Sequence, residues 1–380
     1  MSISLHLEGI EMLKYEPDIM GSYNQNDVTF LLRDISHLNI EESSEEREEK
    51  IQKGMAHYSE MLPVEYQPNK QYMMFYESML LKYAHKIAYC VAVVCEKLLK
   101  IRNLDNIILV SLARAGTPIG ILMKKYLKLA YNTDVVHYSI SIIRGRGIDQ
   151  AALQYITAKH PQGEIQFIDG WTGKGAITQE LKQAVAEWNA NETVQLDAQL
   201  AVLADPGHCV KLYGTREDFL IPSACLNSTV SGLVSRTVFN EKFLSRDDFH
   251  GAKYYRELAN VDVSNEFIET IAIYFTDKLA QEAKSEVWDL TSEPEPTWQG
   301  EKCVAQIQQH YNIQNRHHVK PGVGETTRVL LRRVPWKILV NPTAGEDLTH
   351  IYMLAQEHGI EVEHYSNMPY SCCGLIKELL

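Results

Sequence analysis

The residues best equipped for chemistry gather in three glycine-containing loops. In the first, the apolar run Ile165–Ile168 leads to Asp169, and Gly170-Trp171-Thr172-Gly173-Lys174-Gly175-Ala176 then opens a helix. Small residues let successive N–H groups turn toward one point, and a helix N-terminus adds its positive end, so the segment suits an anion. The second loop, Arg114-Ala115-Gly116-Thr117, sets a guanidinium fork beside backbone that a ligand can approach closely. The third, Arg144-Gly145-Arg146-Gly147, carries two guanidiniums on a turn suited to closing over an anionic ligand. Asp169, at the end of the apolar run, is the single acid of this segment. Two commoner phosphate loops are excluded by spacing. A Walker A loop needs GxxxxGK[ST], but only two residues separate Gly170 from Gly173, and Gly175 follows Lys174. No GxGxxG run is present either.

The elements that must position these loops alternate. Strands are expected at Asn106–Val110, Val135–Ile143, Glu164–Ile168 and Leu200–Ala204. Helices are expected at Ile119–Ala130, from near Asp149, and at Ala176–Asn189. Strand–loop–helix repeated in this way is the form of a parallel sheet with helices on its faces, and such sheets bind ligands at the carboxyl ends of their strands. Every unusual loop sits at such an end. Upstream, residues 1–40 read as irregular, and Glu41–Lys50 as an acid-rich, solvated helix start. Residues 71–100 read as a packed helix with Met73, Met74, Phe75, Tyr76 and Met79 in the core. Downstream, a helix spans about 264–287, residues 291–300 read as a linker, and 301–380 as a small α/β unit. The expected organisation is a helical hood at 1–100, a sheet domain at 101–290 and a C-terminal domain at 301–380.

Together the three loops resemble a type I phosphoribosyltransferase. IDGWTGKGA is similar to that family's DxxxTGxT turn for the 5′-phosphate of phosphoribosyl pyrophosphate, and LARAGTP to the pyrophosphate loop of its uracil enzymes. RGRG falls where the family has a flexible loop. The sequence departs from the pattern at Gly170, where the family has a second acid, and the turn is one residue shorter. The resemblance implies Asp169, Arg144 and Arg146 as catalytic residues. It implies Arg114, Ala115, Gly116, Thr117 and Thr172 to Ala176 as substrate contacts, with Mg²⁺ carried by the pyrophosphate. Asn227, Ser228 and Arg236 lie in a stretch rich in small hydroxyls, suited to a polar aglycone or, equally, to a hydrogen-bonded turn.

In the C-terminal unit, Gly322, Gly324, Glu325, Thr326, Thr327 and Arg328 match the GxxE[TV]T[KR] turn–helix of the Pelota and kink-turn-binding domain. That resemblance implies contact between residues 318–370 and a structured RNA. Amides and basic side chains would meet phosphates, with Arg332 one turn beyond Arg328, and Glu325 would read a base edge. A capped, solvated basic helix is the other reading.

Over nearly its whole length the chain resembles the phosphoribosyltransferase-like proteins of bacterial tellurite-resistance gene clusters, a family also labelled cysteine protease StiP. The stretches SLARAGTPIG, DGWTGKG, IPSACLNSTVSGLVSRT and GVGETTRVLLRR carry the likeness. It implies synthesis of a nucleoside-like metabolite linked to stress. A second possibility is a nucleotide-sensing, RNA-binding regulator without catalysis, which the missing second acid favours. Proteolysis requires a thiolate beside a histidine base. The candidate thiols are Cys209, next to His208, and Cys225, but no flanking pattern marks a nucleophile, and buried thiols acting as small apolar groups are the preferred reading.

Composition bounds these readings. The 380 residues carry a net charge of −12, which argues against a protein that coats nucleic acid. The excess is local: residues 1–300 hold 29 Lys/Arg against 41 Asp/Glu, while 301–380 hold eight of each. Seven cysteines without a CxxC pair argue against a zinc site or a disulfide framework, and the histidines at 310, 317, 318 and 358 lack metal spacing. No basic-then-apolar leader opens the chain, and the apolar run near Ile87–Cys95 is short for a membrane span, so a cytoplasmic protein is expected. The aglycone, the RNA and the oligomeric state are not written in the sequence.

Overall fold

The structure is a computed structural model that describes residues 16–42, 58–65, 67–245, 247–287, 294–345 and 348–376. Most of the expected acidic helix at 41–50 lies outside the described residues.

A parallel sheet forms the centre. Its strands are β1 (Thr29–Phe30), β2 (Ile107–Ala113), β3 (Val136–Ile143), β4 (Glu164–Trp171), β5 (Leu200–Ala204) and β6 (Leu212–Thr215), in the order β1-β3-β2-β4-β5-β6. All of these neighbours pair in parallel, and Gly147–Ile148 adds a short antiparallel arm to β3. Side chains alternate across it. Along β2, Ile107 and Leu109 enter one apolar cluster, while Ile108, Val110 and Leu112 enter the cluster on the other side. Such β-branched and aliphatic runs, buried on both faces, are what a covered parallel sheet requires.

Helices supply the cover. Helix α1 (Lys70–Leu98), capped by the Asn69 side chain, packs on one face with α2 (Gly116–Tyr131). Helices α3 (Gln150–Lys159) and α4 (Ala176–Asn191) pack on the other. By length and composition α1 could cross a membrane, but 61% of its apolar window is buried here, as in a core helix. Of the side chains expected in its core, Tyr76 is fully buried, whereas Met74 is 61% exposed. Residues 1–40 are not wholly irregular: β1 joins the sheet edge, with Phe30 and Leu31 buried. The expected helix at 264–287 is two, α5 (Ser264–Ala272) and α6 (Asp277–Glu286), the second restarted by its Thr276 cap.

The C-terminal unit contains α7 (Gln299–His310), β7 (Val319–Pro321), α8 (Val323–Arg332), β8 (Pro335–Val340), α9 (Thr349–Glu357), β9 (Glu361–His364) and β10 (Cys372–Ile376). Its sheet order is β7-β10-β8-β9, with only β8 and β9 parallel. β7 and β10 escape the sequence reading because Val319–Pro321 is short and Cys372–Ile376 lacks alternation. One face of this unit is continuous with the core of the first: Val323, Leu330 and Ile338 belong to the same apolar cluster as α1 and α2. Asp218 clamps the join. Its carboxylate accepts the Val323 N–H at the start of α8 at 3.0 Å and the Ser371 N–H at 2.8 Å. Asp218→Ala leaves a helix start uncapped and is expected to remove about 1–2 kcal/mol. The check is urea unfolding, in which the midpoint falls while the slope is retained.

Candidate functional site

The strand order fixes where a ligand can enter. From β2 the chain crosses to β3 on one side, and from β4 it moves to β5 on the other, so β2 and β4 are neighbours whose connections diverge. A crevice opens outside their carboxyl ends. The Arg114 loop leaves β2 there and the Thr172–Ala176 turn leaves β4. The two loops pack because residue 116 is glycine: a Cβ on it would stand 2.4 Å from the Ile168 carbonyl oxygen. The Ala113–Arg114 peptide is cis.

The turn after β4 divides its labour. The Thr172 N–H donates to the Ala204 carbonyl at 3.0 Å, and its hydroxyl donates to the buried Asp205 carboxylate. Asp205 also accepts the N–H groups of Cys209 and Val210 at 2.8 and 3.0 Å and pairs with Arg216. Thr172 therefore anchors the turn through its N–H and hydroxyl, while still lining the cavity described next. Tyr370 ties down the next carbonyl, that of Gly173, at 3.1 Å. Gly175 has φ +73°, and a Cβ there would meet the Trp298 ring at 2.5 Å, so only glycine starts α4 under this indole. Among the described residues, no acceptor takes the N–H groups of Gly173, Lys174, Gly175 and Ala176.

These N–H groups belong to the wall of a cavity of about 400 Å³ between the sheet domain and the C-terminal unit. Five cations line it: Arg144, Lys174, Lys320, Arg328 and Arg333, against one acid, Glu325. Lys174 donates to the carbonyls of Arg316 and Val319 at 3.1 and 3.4 Å. Burial, then Lys320, Arg316 and Arg144, pull its ammonium down to about 8. Lys320 is lowered too, chiefly by burial. Glu325 lies 3.6 Å from Lys320 and 3.7 Å from Arg328. Although burial opposes ionisation, Arg328 and Lys320 hold its carboxyl below the usual range.

Other expected site residues are dispersed. β4 runs on through Trp171, so Asp169 stands inside the strand rather than at its tip, 9% exposed, and outside the cavity wall. It accepts the Gly170 N–H at 2.7 Å, and burial pushes its carboxyl up to about 7. Arg144 faces the cavity and meets His317 at 3.2 Å. Arg146 instead pairs with Glu60, and Glu180 holds the N–H groups of Gly145 and Gly147 at 2.7 and 2.8 Å. The RGRG turn is thus pinned to α4, with Arg144 on the cavity wall and Arg146 outside it on Glu60. Ala115, Gly116 and Thr117 form the turn into α2, and the Thr117 hydroxyl is buried against Ser139 at 2.8 Å. Arg114 reaches the Asn227 side-chain oxygen at 3.1 Å and the Val234 carbonyl at 3.2 Å. Arg328 reaches the same Asn227 oxygen at 3.4 Å. Ser228 donates through its N–H and hydroxyl to Glu65, and Arg236 donates to the Met61 carbonyl at 2.6 Å. Asn227 and Ser228 thus bind protein partners in short 3-10 turns, and no strand forms there.

The turn–helix of the C-terminal unit faces the same cavity. Thr326 and Thr327 are fully buried and donate to the carbonyls of Lys320 and Val323 at 3.4 and 2.7 Å, so they build the helix start and are not available to a ligand. A Cβ at Gly322 would meet Trp171 at 2.9 Å, and one at Gly324 would meet Ala224 at 3.1 Å, so both glycines lie against the sheet domain. The Arg332 side chain lies outside the described residues. Lys320 and Arg333, which sequence reading leaves in a generic basic helix, join Lys174 across the cavity. No local pattern could have revealed this, because the two walls are more than 140 residues apart in the chain.

The thiols have a different character. All seven cysteines are free and buried. Cys209 donates to the carbonyls of Gly207 and Gly173 at 3.4 and 3.6 Å, and burial with Asp205 pushes its thiol up to about 12. Among the described residues, no hydrogen bond joins the His208 ring to a thiol.

Comparison with known proteins fixes the family. A family model described as "Tellurite-like stress resistance cysteine protease StiP" matches residues 21–272, two-thirds of the chain. The chain belongs to the StiP family. A curated relative, "Cysteine protease StiP" of Acinetobacter baylyi (strain ATCC 33305 / BD413 / ADP1), is 36% identical over 369 residues, covering 94% of each chain. A second family model, "PELOTA RNA binding domain", matches residues 298–378, so the StiP unit is followed by a domain of that class. No solved structure matches the chain.

Proposed function

We propose that this StiP-family chain binds a phosphorylated sugar or nucleotide on its Gly173–Ala176 turn and acts on it by phosphoribosyl-type transfer. The observation that carries the reading is the cavity at the carboxyl end of β4, lined by unpaired amides and five cations. The amides of Gly173–Ala176 and the Lys174 ammonium hold the phosphate, and Arg144 approaches it from the loop after β3. Asp169, two residues before the cavity wall, holds the ribose hydroxyls beneath the turn. Arg114 faces the leaving group from the neighbouring strand end. It donates there to the Asn227 side chain and the Val234 carbonyl. The site offers Mg²⁺ a single buried carboxylate, and no cluster of three His, Cys, Asp or Glu forms among the described residues. The protein groups do not make a Mg²⁺ site, and no step here runs through one. The matched RNA-binding domain supports RNA as a partner. Incubating the protein with labelled phosphoribosyl pyrophosphate and a panel of bases tests the transfer. Pyrophosphate release is expected, and the absence of both binding and release would overturn the reading.

The family's name favours a second reading, cysteine proteolysis. Its candidate nucleophiles, Cys209 and Cys225, are both buried, and burial with Asp205 keeps the Cys209 thiol, packed behind the turn, protonated. At pH 8 iodoacetamide is expected to modify Cys209 in the folded protein at least about 100-fold more slowly than a free thiol, because only the thiolate reacts. Mass spectrometry of the alkylated protein reads this out. A fast-reacting Cys209, with peptide cleavage lost in Cys209→Ala, would establish the protease instead.

A further inference from the structure

Five cations and one carboxylate line the cavity, and two of the cations stand where an ammonium is disfavoured. Lys174 and Lys320 are both depressed, each by burial first and then by neighbouring cations. His317, beside Arg144, is pulled down to about 4 by burial and by the same cations, and so adds no charge at neutral pH. One phosphate on the Gly173–Ala176 turn would engage Lys174 and Arg144. The remaining cations are not on the turn. Lys320, Arg328 and Arg333 come from the opposite wall, on and around α8, and Glu325 spaces the first two apart. The volume of about 400 Å³ lies at the low end of the roughly 300–1,000 Å³ typical of small-molecule sites, and is far too small for a folded RNA stem.

We infer that the ligand of this cavity is a small sugar or nucleotide with two separate anionic groups, and that its second anion sits on Lys320, Arg328 and Arg333 of the C-terminal turn–helix. The inference rests on the proposal that the Gly173–Ala176 turn holds the first phosphate. Its consequence is that α8 serves as a ligand wall. The residues that would meet RNA in a Pelota-type domain, Glu325 and Arg328, are turned inward here. A structured RNA and the small ligand therefore use the same cations and exclude one another.

The test uses the full chain and calorimetry with ribose 5-phosphate and ribose 1,5-bisphosphate. In the wild type the bisphosphate is expected to bind at least about tenfold tighter, one extra charged hydrogen-bond set. Arg328→Met should bring the bisphosphate down to the monophosphate's affinity and leave the monophosphate unchanged. Arg328 is 40% exposed along its side chain, so the variant should fold, and Lys320→Met should show the same pattern. Lys174→Met should weaken both compounds. Saturating bisphosphate should displace a labelled bulged-stem RNA. Equal affinities for the two compounds, a gap that survives Arg328→Met and Lys320→Met, or RNA binding indifferent to the bisphosphate would each overturn the inference. If neither compound binds and Lys174→Met changes nothing, the failure lies with the phosphate turn itself.

Discussion

Lys174→Glu is expected to lower affinity for phosphorylated ligands by at least about 100-fold. A hydrogen bond to a charged group contributes roughly 1.5–3 kcal/mol, or about 10–150-fold, and the new carboxylate adds repulsion at the same point. The wild type should also show a characteristic pH profile. Its Lys174 ammonium lies near 8 in the free protein, so binding should weaken as pH rises above that value. Stability moves the other way. Between about 8 and the ordinary lysine value of 10.5 the folded chain binds fewer protons than the unfolded chain, so stability rises with pH through that window. Lys174→Met should accordingly be more stable than the wild type at pH 7 while binding poorly: the shift corresponds to roughly 3 kcal/mol, of which losing the hydrogen bonds to the Arg316 and Val319 carbonyls offsets about 1–2 kcal/mol. A lysine that costs stability and is needed for binding is the mark of a functional site rather than a structural one. Thermal melts at pH 7 and pH 10, with binding measured on the same samples, check both halves.

The second large effect belongs to Asp169. Burial raises its carboxyl from 3.8 to about 7, so between those values the folded chain holds a proton that the unfolded chain has released. The protonated form's stability is therefore fully present below about pH 4 and is lost as pH rises toward 7. At about 1.4 kcal/mol per unit, the penalty at pH 8 is roughly 4 kcal/mol. Asp169→Asn keeps an oxygen to accept the Gly170 N–H and has no charge to bury. Its melting temperature should exceed the wild type's at pH 8 and converge with it near pH 4. Turnover should nevertheless be abolished in Asp169→Asn if the carboxylate steadies a developing positive charge. A stabilised variant with undiminished pyrophosphate release would make Asp169 a buried structural acid and nothing more.

Much of the sheet is legible in the sequence because its strands are buried on both faces and read as continuous aliphatic runs. Leu200–Ala204 is found as expected, and the Val135–Ile143 strand differs by one residue. β4 is longer than it reads because Gly170 and Trp171 remain paired to the sheet, with Trp171 opposite Ala204. That extension moves Asp169 off the strand tip. Within the turn, sequence reading groups Thr172 with its neighbours, but a buried acid 33 residues away claims the hydroxyl. RGRG looks mobile because glycine is permissive, yet Glu180 and Glu60 pin it from α4 and the N-terminal segment. The cavity itself is the least legible feature. Its opposite walls meet only because Asp218 caps α8, Tyr370 reaches the Gly173 carbonyl, and an apolar cluster runs through both units. None of these contacts leaves a local signature.

The turn after β4 is proposed to hold phosphate. Isothermal calorimetry of the full chain with ribose 5-phosphate, at pH 7 and low salt, tests it most directly when wild type and Lys174→Glu are run side by side. Saturable one-site binding is expected in the wild type and its loss in the variant. Absence of binding in the wild type, or identical binding in both proteins, would contradict it.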